Sequence, residues 1–97
     1  MSDVVNEAVR QLGEKLSGGF ADGIAKFVIE DEGGIILDAD GVRAGDDEAD
    51  VTLTASAETF KAILEGDLNP TAAFMQGKLT IDGDMGLAMK LGGALSA

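Results

Sequence analysis

The sequence predicts an α+β domain, because five short segments read as strands, from alternation, β-branched residues or flanking turn signals, and four others read as helices, from apolar spacing or capping residues. A helix comes first, then three strands joined by tight turns, a fourth strand, two helices, a fifth strand and a final helix. At 97 residues, 45% of them apolar, the chain is long enough for one core and too short for two, so residues 1–97 are expected to form a single domain.

Each element has its own signal. From residue 3 to 16, Val5, Ala8, Val9, Leu12 and Leu16 recur on one helical face, with Glu7, Arg10, Gln11, Glu14 and Lys15 opposite and Ser17-Gly18-Gly19 as the stop. Residues 24 to 30 are rich in β-branched side chains and place Phe27 and Ile29 on one side of a pleat. Gly33-Gly34 is expected to form the hairpin turn into a second strand, residues 35 to 39, and Asp40-Gly41 the turn into a third, residues 42 to 44. After an acidic loop, Val51 and Leu53 mark a fourth strand. Ser56 caps a helix that lines up Phe60, Ile63 and Leu64 and stops at Gly66. Asn69-Pro70 starts a short helix to Met75, since proline is tolerated at the first helical position. Leu79 and Ile81 share a face of the fifth strand, and residues 85 to 96 form a terminal helix weakened by Gly86, Gly92 and Gly93.

Charge narrows the functions. Eighteen acidic and seven basic residues give a net charge of −11, which repels phosphate backbones and anionic head groups. Nucleic acid is therefore not expected as a partner, and membrane contact is expected to be transient at most. Without cysteine or histidine the chain offers no disulfide, no thiolate and almost no zinc chemistry. No basic, apolar leader opens the sequence and no run reaches the about 18 apolar residues of a membrane span, so a cytoplasmic location is expected. The acidic cluster between Glu30 and Asp50 does not fit a calcium loop. With Asp38, Asp40 and Gly41 in place, Ile36 falls on the first ligand position and Asp47 on that of the bidentate glutamate. No nucleophile stands in a recognisable motif, and neither enzyme activity nor a cofactor is expected.

The terminal helix carries more apolar surface than one packing face needs, a stripe somewhat over 100° wide. Met85, Ala88, Met89 and Gly92 form one face, Leu87, Leu91, Ala94 and Leu95 the next, and Lys90 is the one charge within it. Two readings account for the surplus. In one, the helix seals a homodimer or a partner interface, and the protein is a structural or interaction module. In the other, a ligand cavity lies between sheet and helices, lined by Phe60, Leu64, Phe74, Met75, Met85, Ala88 and Met89, where thioethers adapt to an irregular apolar guest. A monomer or a homodimer is expected accordingly.

Residues 50 to 91, DVTLTASAETFKAILEGDLNPTAAFMQGKLTIDGDMGLAMKL, resemble the sterol carrier protein 2 (SCP-2) domain. The likeness is carried by Asn69-Pro70 followed by Ala73-Phe74-Met75-Gln76-Gly77-Lys78-Leu79, and by Gly83-Asp84-Met85-Gly86-Leu87-Ala88-Met89-Lys90-Leu91. It implies a five-stranded, largely antiparallel sheet with helices packed on one face and an apolar tunnel between the layers. It also implies non-catalytic binding and transfer of fatty acid, fatty acyl-CoA, sterol or phospholipid. Gln76 is then a polar group near the tunnel, though its position equally suits a turn amide capping the short helix; Lys78 and Lys90 are candidates for a ligand's acidic end, though each suits a solvated surface lysine better. The chain ends Leu95-Ser96-Ala97, unlike the import tripeptide of peroxisomal members.

Overall fold

The structure, a computed structural model, describes residues 3 to 16 and 19 to 96. Helix α1 (Asp3–Lys15) precedes strands β1 (Ala25–Ile29), β2 (Gly33–Asp38), β3 (Gly41–Ala44) and β4 (Val51–Ala55). Helices α2 (Ala57–Leu64) and α3 (Pro70–Met75), strand β5 (Leu79–Gly83) and helix α4 (Met85–Ser96) follow. The element order is the one the sequence predicts. Of the expected stop of α1, Ser17 and Gly18 lie outside the described residues.

The five strands form one mixed sheet in the order β3-β2-β1-β4-β5. Three of its four neighbouring pairs are antiparallel, and β1 and β4 run parallel at the centre. The register puts Ala25, Phe27 and Ile29 beside Val51, Leu53 and Ala55. All six are buried on the helix side, while Lys26, Val28, Thr52 and Thr54 point the other way. Alternation with period two thus brings six core residues from two strands to one face. Val5, Ala8 and Leu12 of α1, Phe60, Ile63 and Leu64 of α2, Ala73 of α3 and Ala88, Leu91 and Leu95 of α4 join the same cluster, together with Phe20, Ile35, Leu37 and Leu79. Phe27 and Phe60 meet edge to face at its centre, their ring centroids 5.4 Å apart and inclined at 81°.

The first hairpin corrects one expectation. Gly33 and Gly34 do not turn; they pair with Ile29 and Val28 as the start of β2. The turn is made by Glu30, Asp31 and Glu32, with Asp31 in the left-handed region at φ 66°, a conformation that aspartate tolerates better than most residues. The reason lies across the sheet. The connection from β3 to β4 crosses the face away from the helices, where Gly45 N–H donates to the Gly34 carbonyl (3.0 Å) and Lys26 Nζ meets Asp46 (3.0 Å). A Cβ on Gly34 would lie 2.6 Å from the Gly45 carbonyl oxygen. Glycine is required there for close approach of two backbones, and the crossing segment seals Ile36 on the face away from the helices.

The caps follow the sequence closely. The Ser56 hydroxyl accepts from Thr59 N–H at the start of α2, and Asn69 Oδ1 accepts from Thr71 N–H (2.8 Å) and Ala72 N–H at the start of α3. Gly66 and Gly77 take positive φ just beyond the ends of α2 and α3. Asp84, not singled out as a cap from the sequence, accepts from Leu87 N–H at 3.1 Å and starts α4.

Candidate functional site

The second half of the chain builds an apolar pocket at one end of the sheet. Asn69 and Pro70 set the start of α3 against α4, and β5 carries the chain back along the sheet edge to the Asp84 cap. A pocket of about 240 Å³ opens between α3, α4 and the last two strands. Leu53, Leu79 and Ala88, all buried, form its base; Ile81, Pro70, Thr71 and Gly92 form its walls. Its rim is Phe74, Met75, Met85 and Met89, which are 41%, 80%, 46% and 69% exposed. These are four of the six large apolar side chains exposed among the described residues. Thr71 is the one lining side chain with a hydrogen-bonding group.

The surplus apolar face of the terminal helix is therefore real, and no described residue covers it. Ala88, Leu91 and Leu95 recur at helical spacing and bury one stripe of α4, which leaves Met85 and Met89 on the neighbouring face beside the pocket. On its far side α4 is tied to the segment before β1. Lys90 Nζ lies 3.9 Å from Asp22, and Leu87 packs so close to Gly23 that a Cβ there would meet it at 2.6 Å.

A second pocket, of about 450 Å³, lies between α1 and α2. Val4, Ala8, Ile29, Phe60 and Leu64 supply its apolar surface, but Asp3, Glu7, Gln11, Glu58 and Lys61 also line it. Its polar side is ordered: Arg10 donates to Glu7 and to Glu14, and Gln11 Nε2 donates to Glu7 at 3.0 Å. The hydrogen bonds from Arg10 and Gln11 hold the Glu7 carboxyl at about 2, well below its ordinary value.

The residues expected from the sequence thus divide. Phe74, Met75, Met85, Ala88 and Met89 converge on the α3/α4 pocket, whereas Phe60 and Leu64 line the α1/α2 pocket, and no residue lines both. Gln76 is the exposed C-cap of α3 and belongs to neither lining; its backbone N–H closes the helix onto the Ala72 carbonyl at 3.0 Å. Lys78 and Lys90 are exposed as well, outside both linings. Leu53, Pro70, Thr71, Leu79, Ile81 and Gly92 also line the α3/α4 pocket and were not expected there from the sequence. The shared face of Leu79 and Ile81 was a usable signal, because an edge strand with one apolar face must set it against a helix or a guest. Among the described residues no three acidic side chains converge to hold a metal ion, and no described helix is long and apolar enough to cross a membrane.

Comparisons with known proteins bear on the family and the fold. The model of the SCP-2 sterol transfer family matches residues 6–96. Human sterol carrier protein 2 is 54% identical over 46 residues, 47% of this chain, and the match spans only 8% of that relative's length. The solution structure of sterol carrier protein domain 2 from Helicoverpa armigera superposes with a TM-score of 0.74 at 30% identity, covering 96% of this chain and 88% of that one. The solution structure of palmitated SCP2L2 from Aedes aegypti gives 0.73 at 26% identity, with 100% and 96% covered. With the family model matched over nearly its whole length and the fold shared, the chain belongs to the SCP-2 sterol transfer family.

Proposed function

We propose that this chain is a non-catalytic lipid-binding domain, comprising residues 1–97, that takes an elongated apolar molecule into the α3/α4 pocket and eases its transfer between membranes. The guest is a fatty acid, fatty acyl-CoA, sterol or phospholipid. The observation that carries the reading is the convergence of Phe74, Met75, Met85 and Met89, all exposed, around a pocket whose lining holds one hydroxyl. Leaving so much contiguous apolar surface in water is unfavourable by roughly 25 cal/mol per Å², and a guest that covers it recovers that free energy less the freedom lost on binding. The palmitated Aedes aegypti relative shares the fold, which supports an acyl guest.

At about 240 Å³ the pocket lies below the roughly 300 to 1,000 Å³ of most ligand sites. An acyl chain enters by rotating the rim aside, and unbranched thioether side chains give way more readily than leucine or isoleucine. With Thr71 alone to orient it, the guest is selected by length and apolarity more than by its polar end. Gln76, Lys78 and Lys90 remain the candidates for contact with a carboxylate or phosphate outside the pocket. We further place the protein in the cytoplasm as a monomer, the cysteine-free composition favouring a reducing compartment.

Native mass spectrometry of gently purified protein, followed by solvent extraction, tests this. Co-purified lipid and saturable binding of a fluorescent fatty acid are expected. A lipid-free dimer that ignores the fatty acid would instead assign the methionine-rich rim to a subunit interface.

A further inference from the structure

The sequence contains no cysteine, tryptophan, tyrosine or histidine, which leaves methionine as the side chain most readily oxidised by peroxide. There are four methionines. Met1 lies outside the described residues, and the other three all line the α3/α4 pocket. The larger α1/α2 pocket has none. We propose that Met75, Met85 and Met89 form an oxidation site built into the ligand pocket, where a hydroperoxide converts the thioethers to sulfoxides and drives the apolar guest out. This rests on the lipid-binding reading and adds the chemistry that regulates it.

The reaction needs only the peroxide. A sulfur lone pair attacks the terminal hydroxyl oxygen of the peroxide, the S–O bond forms as the O–O bond breaks, and the other oxygen takes up the proton of the attacked one and leaves as water or, from an organic hydroperoxide, as an alcohol. Sulfur loses two electrons and the peroxide gains them. The access of oxidant follows exposure, so Met75 at 80% and Met89 at 69% precede Met85 at 46%. Each sulfoxide is a strong acceptor in a lining whose one side-chain donor is Thr71. Burying it against an acyl chain leaves it unpaired, so it stays hydrated and the pocket fills with water instead of lipid.

Delipidated protein is treated with hydrogen peroxide, mapped by peptide mass spectrometry and titrated with a fluorescent fatty acid. Oxidation in the order Met75 and Met89, then Met85 is expected, together with affinity about tenfold weaker, an unchanged circular dichroism spectrum and recovery on enzymatic reduction of the sulfoxides. A variant carrying Met75→Leu, Met85→Leu and Met89→Leu keeps its own starting affinity through the same treatment. Undiminished affinity of the oxidised protein overturns this inference alone, as does an equal loss in the leucine variant. An untreated protein that ignores fatty acid overturns the lipid-binding reading, and this inference with it.

Discussion

The α1/α2 pocket and the α3/α4 pocket rest on the same core and differ in nearly everything else. The first is the larger, about 450 Å³ against about 240 Å³, but charged side chains line it and an ordered Glu7, Arg10 and Gln11 network stands beside it. The second is smaller and almost wholly apolar, with a rim of exposed, flexible side chains. Lining chemistry, more than volume, decides what a pocket takes. Water competes well for the first pocket, whose polar groups it satisfies, and poorly for the second, whose surface offers it little.

The strongest way to break this comparison is to remove what both pockets share. Phe27 is 1% exposed and packs against Phe60. Phe27→Ala is expected to cost about 3 to 5 kcal/mol, read as a lower urea midpoint, and to abolish ligand binding with it. A loss below about 1 kcal/mol would show that the aromatic pair does not support the layer between the pockets.

Charge placed in each pocket separates them. Met89→Lys is expected to weaken fatty-acid binding about tenfold while the protein stays folded and monomeric. Glu58→Lys, in the α1/α2 lining, is expected to change it by less than about twofold, since rim charges act weakly at this exposure. The reverse result in fluorescence titrations would move the site to the α1/α2 pocket. Dissociation of a dimer by Met89→Lys would support the interface instead.

A smaller effect is expected at the start of α4. Asp84→Ala removes the acceptor of Leu87 N–H and should cost about 1 kcal/mol, seen as a lower Tm. Fraying of the turn that carries Met85 should weaken binding more than it lowers stability.

The smallest effect sharpens the contrast through pH. The Glu7 carboxyl, held at about 2 by hydrogen bonds from Arg10 and Gln11, starts from an ordinary 4.5. Because the folded value is the lower, its contribution is fully present above 4.5 and is lost as pH falls toward 2. The group is exposed, so the loss is slight. An NMR titration should give a Glu7 midpoint near 2, raised most of the way toward the ordinary range by Arg10→Ala, with the Gln11 hydrogen bond still holding it down. No acidic or basic side chain lines the α3/α4 pocket, so binding of a neutral sterol there should be flat over the same interval wherever the protein remains folded.

Much of this was legible in the residues. Strand alternation at Phe27 and Ile29, at Val51 and Leu53 and at Leu79 and Ile81 located three strands. Ser56, Asn69-Pro70 and Gly66 located two helix boundaries and a stop, because each of these signals acts within a few residues of itself. Gly33-Gly34 misled for the opposite reason. Gly34 answers to Gly45, eleven residues further on and brought near only by the crossing segment. The grouping of Phe60 and Leu64 with Met85 and Met89 had the same weakness, since all four are apolar and nothing local says which pocket each one faces.

By itself, then, the sequence determined the elements, the acidic surface and the excess apolar face of α4, all of which follow from side-chain type and spacing along one chain. Only the tertiary structure decided that this face remains open beside α3 and that the apolar space divides between two sites. It also decided that every methionine it describes gathers at one of them. Those outcomes depend on sheet order and helix placement: the parallel β1–β4 pair brings both halves of the chain to the α1/α2 pocket, and the β4–β5 pair sets Leu53 beside Ile81 in the α3/α4 pocket.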